Sequence, residues 1–289
     1  MITNITQQEI YSLQVISTEI QILIIKMLEE AGSGHPGGSL GMSDIFTCMY
    51  FHILNKDPKK PLWEDRDRLV LSNGHICPVL YATLAKAGYF PLDWLNTLRK
   101  INSPLQGHPH RGVTPGVENT SGPLGEGLSQ AIGMALAAKM DKKDWHVYCL
   151  TSDGEHQEGN TWEAVMLAPK YELDNLTVVI DRNMIQIDGL TEKIVPLEVL
   201  RLKYESFNWN VYEVDGHDMA GFVQAVQSAR KTHGRPTCII AHTIPGKNVS
   251  FMENDYLWHG KAPNKDEAAK ALGELNALLE KLKGNSKLI

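Results

Sequence analysis

The sequence predicts an α/β fold built on a doubly wound, mostly parallel sheet with helices on both faces. Three observations predict it. In the second half of the chain, apolar β-type runs at 146–150, 176–180, 211–214 and 237–241 are separated by helical stretches closed by Pro or Gly, and strands that alternate with helices imply parallel pairing through crossovers. Earlier, the apolar run Leu69-Val70-Leu71 halts at Ser72-Asn73-Gly74-His75, a strand followed by a turn. Finally, 289 residues that are 43% hydrophobic and 21% charged are enough to bury one full core. Ligands of such sheets sit in loops beyond the carboxyl ends of the strands, so chemistry is expected there.

Taken in order, residues 7–31 place Ile10, Leu13, Ile20, Leu23, Ile24 and Met27 at helical spacing and end at Gly32. This helix feeds a special loop, Gly34-His35-Pro36-Gly37-Gly38, and a second apolar helix is expected around 40–54. A polar connection through 57–68 leads to the first strand. Gly122 to Gly127 forms a glycine-rich loop entering a helix that continues to about Lys139. Glu158 and Glu163 are expected within the helix after the 146–150 strand. The last stretch, 264–282, reads as an amphipathic Ala/Leu/Glu/Lys helix running into the tail Gly284-Asn285-Ser286. The chain therefore divides into a ligand-binding domain, 1–263, and a C-terminal helix and tail, 264–289.

Composition excludes several classes. A net charge of −6 and a pI near 6.0, without a basic stripe, argue against nucleic acid as a partner. Cys48, Cys77, Cys149 and Cys238 lie far apart among apolar neighbours, reading as reduced core residues of a cytoplasmic protein rather than a disulfide frame or zinc knuckle. No basic leader precedes an apolar run, and no stretch is expected to approach bilayer-crossing length, so no membrane role is expected.

The strongest constellation is Thr151-Ser152-Asp153-Gly154 at one strand end and, about thirty residues on, Asp181-Arg182-Asn183 at the next. A carboxylate from Asp153, a carboxamide oxygen from Asn183 and a nearby backbone carbonyl, that of Ile185, leave room for phosphate oxygens and water in an octahedral shell at roughly 2.0–2.1 Å. Magnesium holding a diphosphate fits, with Gly154 letting the backbone approach. The same residues taken alone also make an ordinary turn, with Asn183 as a cap. His35, His75, His108 and His259 each stand beside Gly or Pro in turns, where a side chain can project into a pocket; any one of them alone is equally a packing residue. Exposed N–H groups of the Gly122–Gly127 loop at a helix start suit an anion or a heterocycle edge, or the loop only packs helices. Ile187 serves as an apolar wall or as a core residue.

Together these segments resemble the transketolase family of thiamine-diphosphate enzymes and their Gly-Asp-Gly…Asn signature, with Ser152 replacing the first glycine. The resemblance runs through Ser33-Gly34-His35-Pro36-Gly37, Ser72-Asn73-Gly74-His75, Gly107-His108-Pro109, Gly122-Pro123-Leu124-Gly125-Glu126-Gly127, Gln157-Glu158-Gly159 and Trp258-His259-Gly260, in the family's order. It implies the thiamine-diphosphate-binding fold, thiamine diphosphate with magnesium (calcium or manganese substituting), and transfer of a two-carbon ketol unit from a ketose phosphate to an aldose phosphate. It implies His35 and His259 as proton-transfer groups at the sugar hydroxyls, His108 at the donor's terminal hydroxyl, and His75 at the diphosphate. Gly122, Pro123 and Leu124 would contact the cofactor through the backbone, Ile187 would wall it, and His259 would also touch it. Glu158 would join a carboxylate network linking paired sites, with Glu163 a weaker member. Asp153, Asn183 and Ile185 would hold the metal. Pro245 stands where some members have lysine.

Because the resemblance covers only the family's first domain, it implies that the activating glutamate and the phosphate-gripping arginines come from elsewhere. A separate C-terminal subunit in a heterotetramer is the expected source, and a truncated piece is the alternative. A deoxyxylulose-phosphate synthase or 2-oxoacid dehydrogenase subunit would share the Asp153–Asn183 pair, as would a non-catalytic cofactor-binding regulatory protein.

Overall fold

The computed structural model describes residues 2–3 and 5–285. Its centre is a five-stranded, fully parallel sheet made of β1 (Arg68–Leu71), β2 (Val147–Ser152), β3 (Leu176–Arg182), β6 (Asn210–Asp215) and β7 (Thr237–His242), in the order β1-β2-β3-β7-β6. A minor antiparallel hairpin, β4 (Ile185–Gln186) with β5 (Gly189–Leu190), was not expected from the sequence, and a single helical turn, α7 (Thr191–Ile194), follows it. All five expected strands are present, and β2 and β3 run further than their apolar cores. Ser152, Asp181 and Arg182 therefore belong to strands rather than to loops.

Side-chain alternation explains why the sheet is covered twice. Leu69, Leu71, Tyr148, Leu150, Val179, Ile239 and Ala241 join one core, while Val70, Cys149, Val178, Ile180, Cys238 and Ile240 join the other. A strand buried on both faces is apolar through its middle, and β1 to β3 are so at 69–71, 147–150 and 178–180. Helices α5 (Glu126–Met140), α6 (Gly159–Lys170) and α8 (Leu200–Ser206) supply Ala131, Ala164, Val165 and Tyr204 to the second core. The first core receives α1 (Gln7–Ala31), α3 (Ser43–Cys48), α4 (Cys77–Lys86), α9 (Met219–Ala229) and α10 (Lys265–Asn285).

Helix α1 begins at a capping box, Thr6 Oγ1 accepting from the Glu9 N–H at 3.2 Å while Glu9 accepts from the Thr6 N–H at 2.7 Å. It ends at Gly32, whose φ of 62° favours glycine. By length and composition α1 is long and apolar enough to cross a membrane, which corrects the expectation that no stretch approaches that length. The reason lies in packing: Ile20, Ile24, Ile25 and Leu28 are wholly buried against α3, α4 and α10, so the apolar residues of α1 belong to the core. The amphipathic α10 covers it with Ala268, Ala271, Leu275 and Leu279. That helix continues through Gly284 and Asn285, where a tail was expected; the tail from Ser286 on lies outside the described residues.

Two other expectations change. The glycine-rich stretch after Gly34 is not wholly a loop, because a short helix, α2 (Pro36–Gly41), starts there with proline in the first turn. The single helix expected at 40–54 is divided into α2, α3 and a wider-wound turn, Met49–Ile53. Glycine serves close approach here. A Cβ on Gly37 would stand 3.1 Å from the Trp258 carbonyl and one on Gly41 2.9 Å from that of Ile244. Backbone contact between α2 and 244–258 brings His35 and His259 together.

Candidate active site

Parallel register places the strand ends side by side: Ser152 pairs with Asp181, and Asp181 with Ala241. Asp153 follows β2 at once, and its N–H donates to the Asp181 carbonyl at 3.1 Å. Its carboxylate is fully buried. One oxygen, Oδ2, accepts from the Met184 N–H (2.8 Å), Arg182 Nη1 (2.9 Å) and Thr191 Oγ1 (3.3 Å), whereas Oδ1 accepts only from the Gly154 N–H (2.7 Å). Burial pushes the Asp153 carboxyl above the ordinary carboxylate range against the pull of Arg182 and these N–H groups. With three donors on Oδ2 and one on Oδ1, the open acceptor position is on Oδ1.

Asn183 sits beside it. Its amide nitrogen donates to Asp181 Oδ2 at 2.8 Å, which turns Oδ1 the other way, toward the Ile185 N–H at 3.0 Å. Asp181 also accepts from the Thr243 hydroxyl and is pushed up to about 7, chiefly by burial. Period-two geometry makes Asp181 and Asn183 neighbours on one side of the strand end while Arg182 points to the other, toward Asp153, Glu192 and Glu198 at 2.9, 2.6 and 2.6 Å. Sequence reasoning missed the positioning roles of Asp181 and Arg182, although the alternation of Asp181-Arg182-Asn183 carries that signal.

A cavity of about 200 Å³ opens above this cluster. From the expected set, His75, Leu124, Gly154 and Glu158 line one part of it, and Asn183, Ile185, Ile187 and His259 another. Asp153 lies behind the wall between Ser152 and Gly154, which do line it. His35 is one ring further out: the centroids of His35, His75 and His259 are 5.0, 5.3 and 5.7 Å apart. His108 stands at the glycine loop, where a Cβ on Gly122 would come 3.8 Å from its ring. Pro123 is exposed. Ile187 is 64% exposed on the cavity rim, which rules out its reading as a core residue. Glu158 is not within the following helix as expected; it is the exposed N-cap residue of α6, with extended backbone, while Glu163 is inside the helix and also exposed. Pro245 packs toward Gly41 rather than lining the cavity.

Burial holds all four histidines neutral. His35 is pushed down to about 4 by burial, with repulsion from His259, Arg99 and His108 added. His75 is held far below its ordinary value by burial and the neighbouring rings, and His259 and His108 are lowered by burial as well. A neutral imidazole offers one donor and one acceptor, the pair needed to hold a hydroxyl and exchange its proton. Among the described residues, Nδ1 of His35 and of His259 has no hydrogen-bond partner, as a site completed by a ligand requires.

Glu155, which sequence reasoning also missed, ties the pieces. Wholly buried, it accepts from the Gly125 N–H at 2.6 Å, the Ser152 N–H at 3.3 Å and the Ser72 hydroxyl, whose oxygen in turn accepts from the Gly127 N–H at 3.0 Å. The glycine loop, the β1 turn and the β2 end are thus fastened to one carboxylate. Among the described residues no three His, Cys, Asp or Glu side chains form a metal cluster. A hard cation here would draw on the Asp153 carboxylate and on neighbouring carboxamide and carbonyl oxygens, with the rest of its shell supplied by a ligand. A larger cavity of about 700 Å³ lies at the opposite strand ends, among His52, Asp65, Asp67, Trp145 and Arg230, and takes in none of His35, His75, His108 and His259.

The family described as "Transketolase, thiamine diphosphate binding domain" matches residues 12–276. An apulose-4-phosphate transketolase subunit of Phocaeicola vulgatus is 39% identical over 95% of this chain and 97% of its own. The 6-deoxy-6-sulfo-D-fructose transketolase subunit of a Clostridium species is 41% identical over 89% of this chain and 93% of its own. Among solved structures, transketolase from Campylobacter jejuni superposes with a TM-score of 0.86 at 34% identity, covering 91% of this chain. That from Leishmania mexicana gives 0.84 at 31% identity over 96%. The chain spans less than half of these two structures, 42% and 46%. With the fold, the site and these likenesses in agreement, the chain belongs to the transketolase family, as its N-terminal, thiamine-diphosphate-binding part.

Proposed function

We propose that this chain transfers a two-carbon ketol unit from a ketose phosphate to an aldose phosphate, as one subunit of a two-chain transketolase. The observation that carries the proposal is the convergence of Asp153 and Asn183 at the carboxyl edge of the sheet, directly under a cavity walled by neutral histidines. The relatives whose names make them subunits of a transketolase, and which this chain spans almost end to end, support a companion chain, and a heterotetramer of two chains of each kind is the assembly we infer.

In this reading Asp153, Asn183 and the Ile185 carbonyl hold magnesium, or calcium or manganese in its place, and through it the diphosphate. His75 and backbone groups of Gly122, Pro123 and Leu124 seat the cofactor, with Ile187 as an apolar wall. Bound thiamine diphosphate supplies the electron sink for the carbon left when the ketose C2–C3 bond breaks. His259 and His35 take and return protons at the sugar hydroxyls, and His108 holds the donor's terminal hydroxyl. Glu158, exposed at the cavity rim, belongs to a carboxylate link between paired sites. The sugars named for the two relatives differ from each other, so the preferred pair is a separate question from the reaction.

The test is ketol transfer by the chain alone and with its companion, with thiamine diphosphate and magnesium. Transfer is expected only from the mixture. Robust transfer by the pure single chain would overturn the two-chain reading, and pyruvate decarboxylation without ketol transfer would favour a 2-oxoacid or deoxyxylulose-phosphate type of enzyme.

A further inference from the structure

Ser152 stands where the Gly-Asp-Gly…Asn signature has its first glycine, and its hydroxyl has no role in the reading above. The residue ends β2 and lines the cavity together with Gly154, Asn183 and His259. It has the parity of Tyr148 and Leu150, which belong to the first core, and it pairs in register with Asp181. Its side chain therefore leaves the strand on the face that carries Asp181 and Asn183, the face of Ile76 and Trp258, which adjoin His75 and His259 in the chain.

The residue is held on three sides. Its N–H donates to Glu155 Oε2 at 3.3 Å, its carbonyl accepts from His156 Nδ1 at 2.7 Å, and its Oγ accepts from the Glu155 N–H at 3.3 Å. A hydroxyl is also a donor, and among the described residues nothing accepts the Ser152 proton. Accepting from an N–H polarises an O–H group, so the proton is the better donor for it. With the residue only 7% exposed and placed on the cavity wall, the acceptor that suits this proton is whatever group the cavity holds.

We propose that Ser152 Oγ donates a hydrogen bond to the diphosphate seated over Asp153 and Gly154, a contact that a glycine at this position cannot make, and so acts as a cofactor-positioning residue of this chain. The inference rests on the thiamine-diphosphate reading of the site and deepens it. An oxyanion is the acceptor that gains most from such a hydroxyl, since O–H bonds to a charged oxygen are the short and strong ones. The same strand end presents the open position on Asp153 Oδ1 to the ion that would accompany the diphosphate. Because the three bonds fix Ser152 before any ligand arrives, little ordering is left for binding to oppose.

The experiment compares wild type, Ser152→Ala and Ser152→Gly, each assembled with its companion. Isothermal titration with magnesium gives the Kd of thiamine diphosphate, and competition gives those of inorganic diphosphate and of thiamine without phosphate. Loss of a charge-assisted hydrogen bond predicts roughly ten- to a hundredfold weaker binding of thiamine diphosphate in both variants. Inorganic diphosphate should lose by a similar factor, and thiamine by less than about threefold. A general loosening of the site, such as freeing the Glu155 N–H would cause, weakens thiamine as much as the diphosphates, and that result overturns the inference. Unchanged affinity for thiamine diphosphate in both variants, or a loss that inorganic diphosphate does not share, overturns it too, while the ketol-transfer reading stands. A wild-type assembly that takes up no thiamine diphosphate overturns that reading itself, and the inference with it.

Discussion

Replacing Glu155 by alanine tests how the site is assembled. The carboxylate is wholly buried and accepts from two backbone N–H groups, those of Gly125 and Ser152, and from the Ser72 hydroxyl. Removing it strands two buried N–H donors that cannot turn away, at about 1–3 kcal/mol each. The Ser72 hydroxyl can rotate and costs little. Against this stands the relief of desolvating a carboxylate, which burial has pushed above its ordinary range. The net cost is about 2–4 kcal/mol, which for a domain of this size lowers Tm by roughly 5–15 °C. Glutamine keeps one oxygen in place for Gly125 and Ser72 but faces its amide toward the Ser152 N–H, so Glu155→Gln should lose less than half as much. Calorimetric melting of the three proteins measures the stability, and titration with thiamine diphosphate and magnesium measures the loop: Glu155→Ala should weaken cofactor uptake about tenfold or more, because the glycine loop is no longer fastened to the β2 end. Melting within about 2 °C of wild type together with unchanged uptake would refute the argument.

Further outcomes follow from the same structure. Asp153→Asn should abolish magnesium-dependent cofactor binding in isothermal titration, and it removes the fully buried partner of Arg182, so a lower Tm is expected as well; retained magnesium dependence would remove Asp153 from the site. His146, fully buried and bonded to Thr177 Oγ1 at 2.8 Å, is pushed down to about 3 by burial and by Arg230, opposed by Asp174. Its depressed pKa means the unfolded chain binds the proton first, so its contribution to stability is intact above about pH 6.5 and falls away from there toward pH 3. His146→Gln should flatten the Tm profile over that window. Gly127→Ala would force a Cβ to within 2.6 Å of the Ser72 backbone and should cost folding outright, whereas Gly133→Ala in the same helix meets nothing within 4 Å and should gain up to about 1 kcal/mol; circular dichroism melts of the pair check both.

Much of this was legible because local rules act on short stretches. The stretches 147–150, 178–180 and 238–241 are apolar at each position and became central strands, since a strand covered on both faces leaves no place for water. Gly32 after an apolar helix marked its end for the same local reason. Expectations failed where one element's conformation is set by another. The stretch 34–38 is rich in glycine and looked like a loop, yet from Pro36 it winds as a helix, with Gly37 and Gly41 letting it lie on the 244–258 backbone. Ile187 had two readings in sequence, and its place on the cavity rim separated them.

For the site, sequence alone located the Asp153–Asn183 pair and the histidine loops, since Asp153 and Asn183 stand at successive strand ends and parallel pairing must bring such ends to one edge. Only the tertiary structure decided what holds them. Asp181, Arg182 and Glu155 are ordinary charged residues in a string of letters; they become positioning groups because burial denies them water, and each must then find its partners among segments far away in the chain, Thr243 for Asp181, Glu198 for Arg182, Gly125 and Ser72 for Glu155.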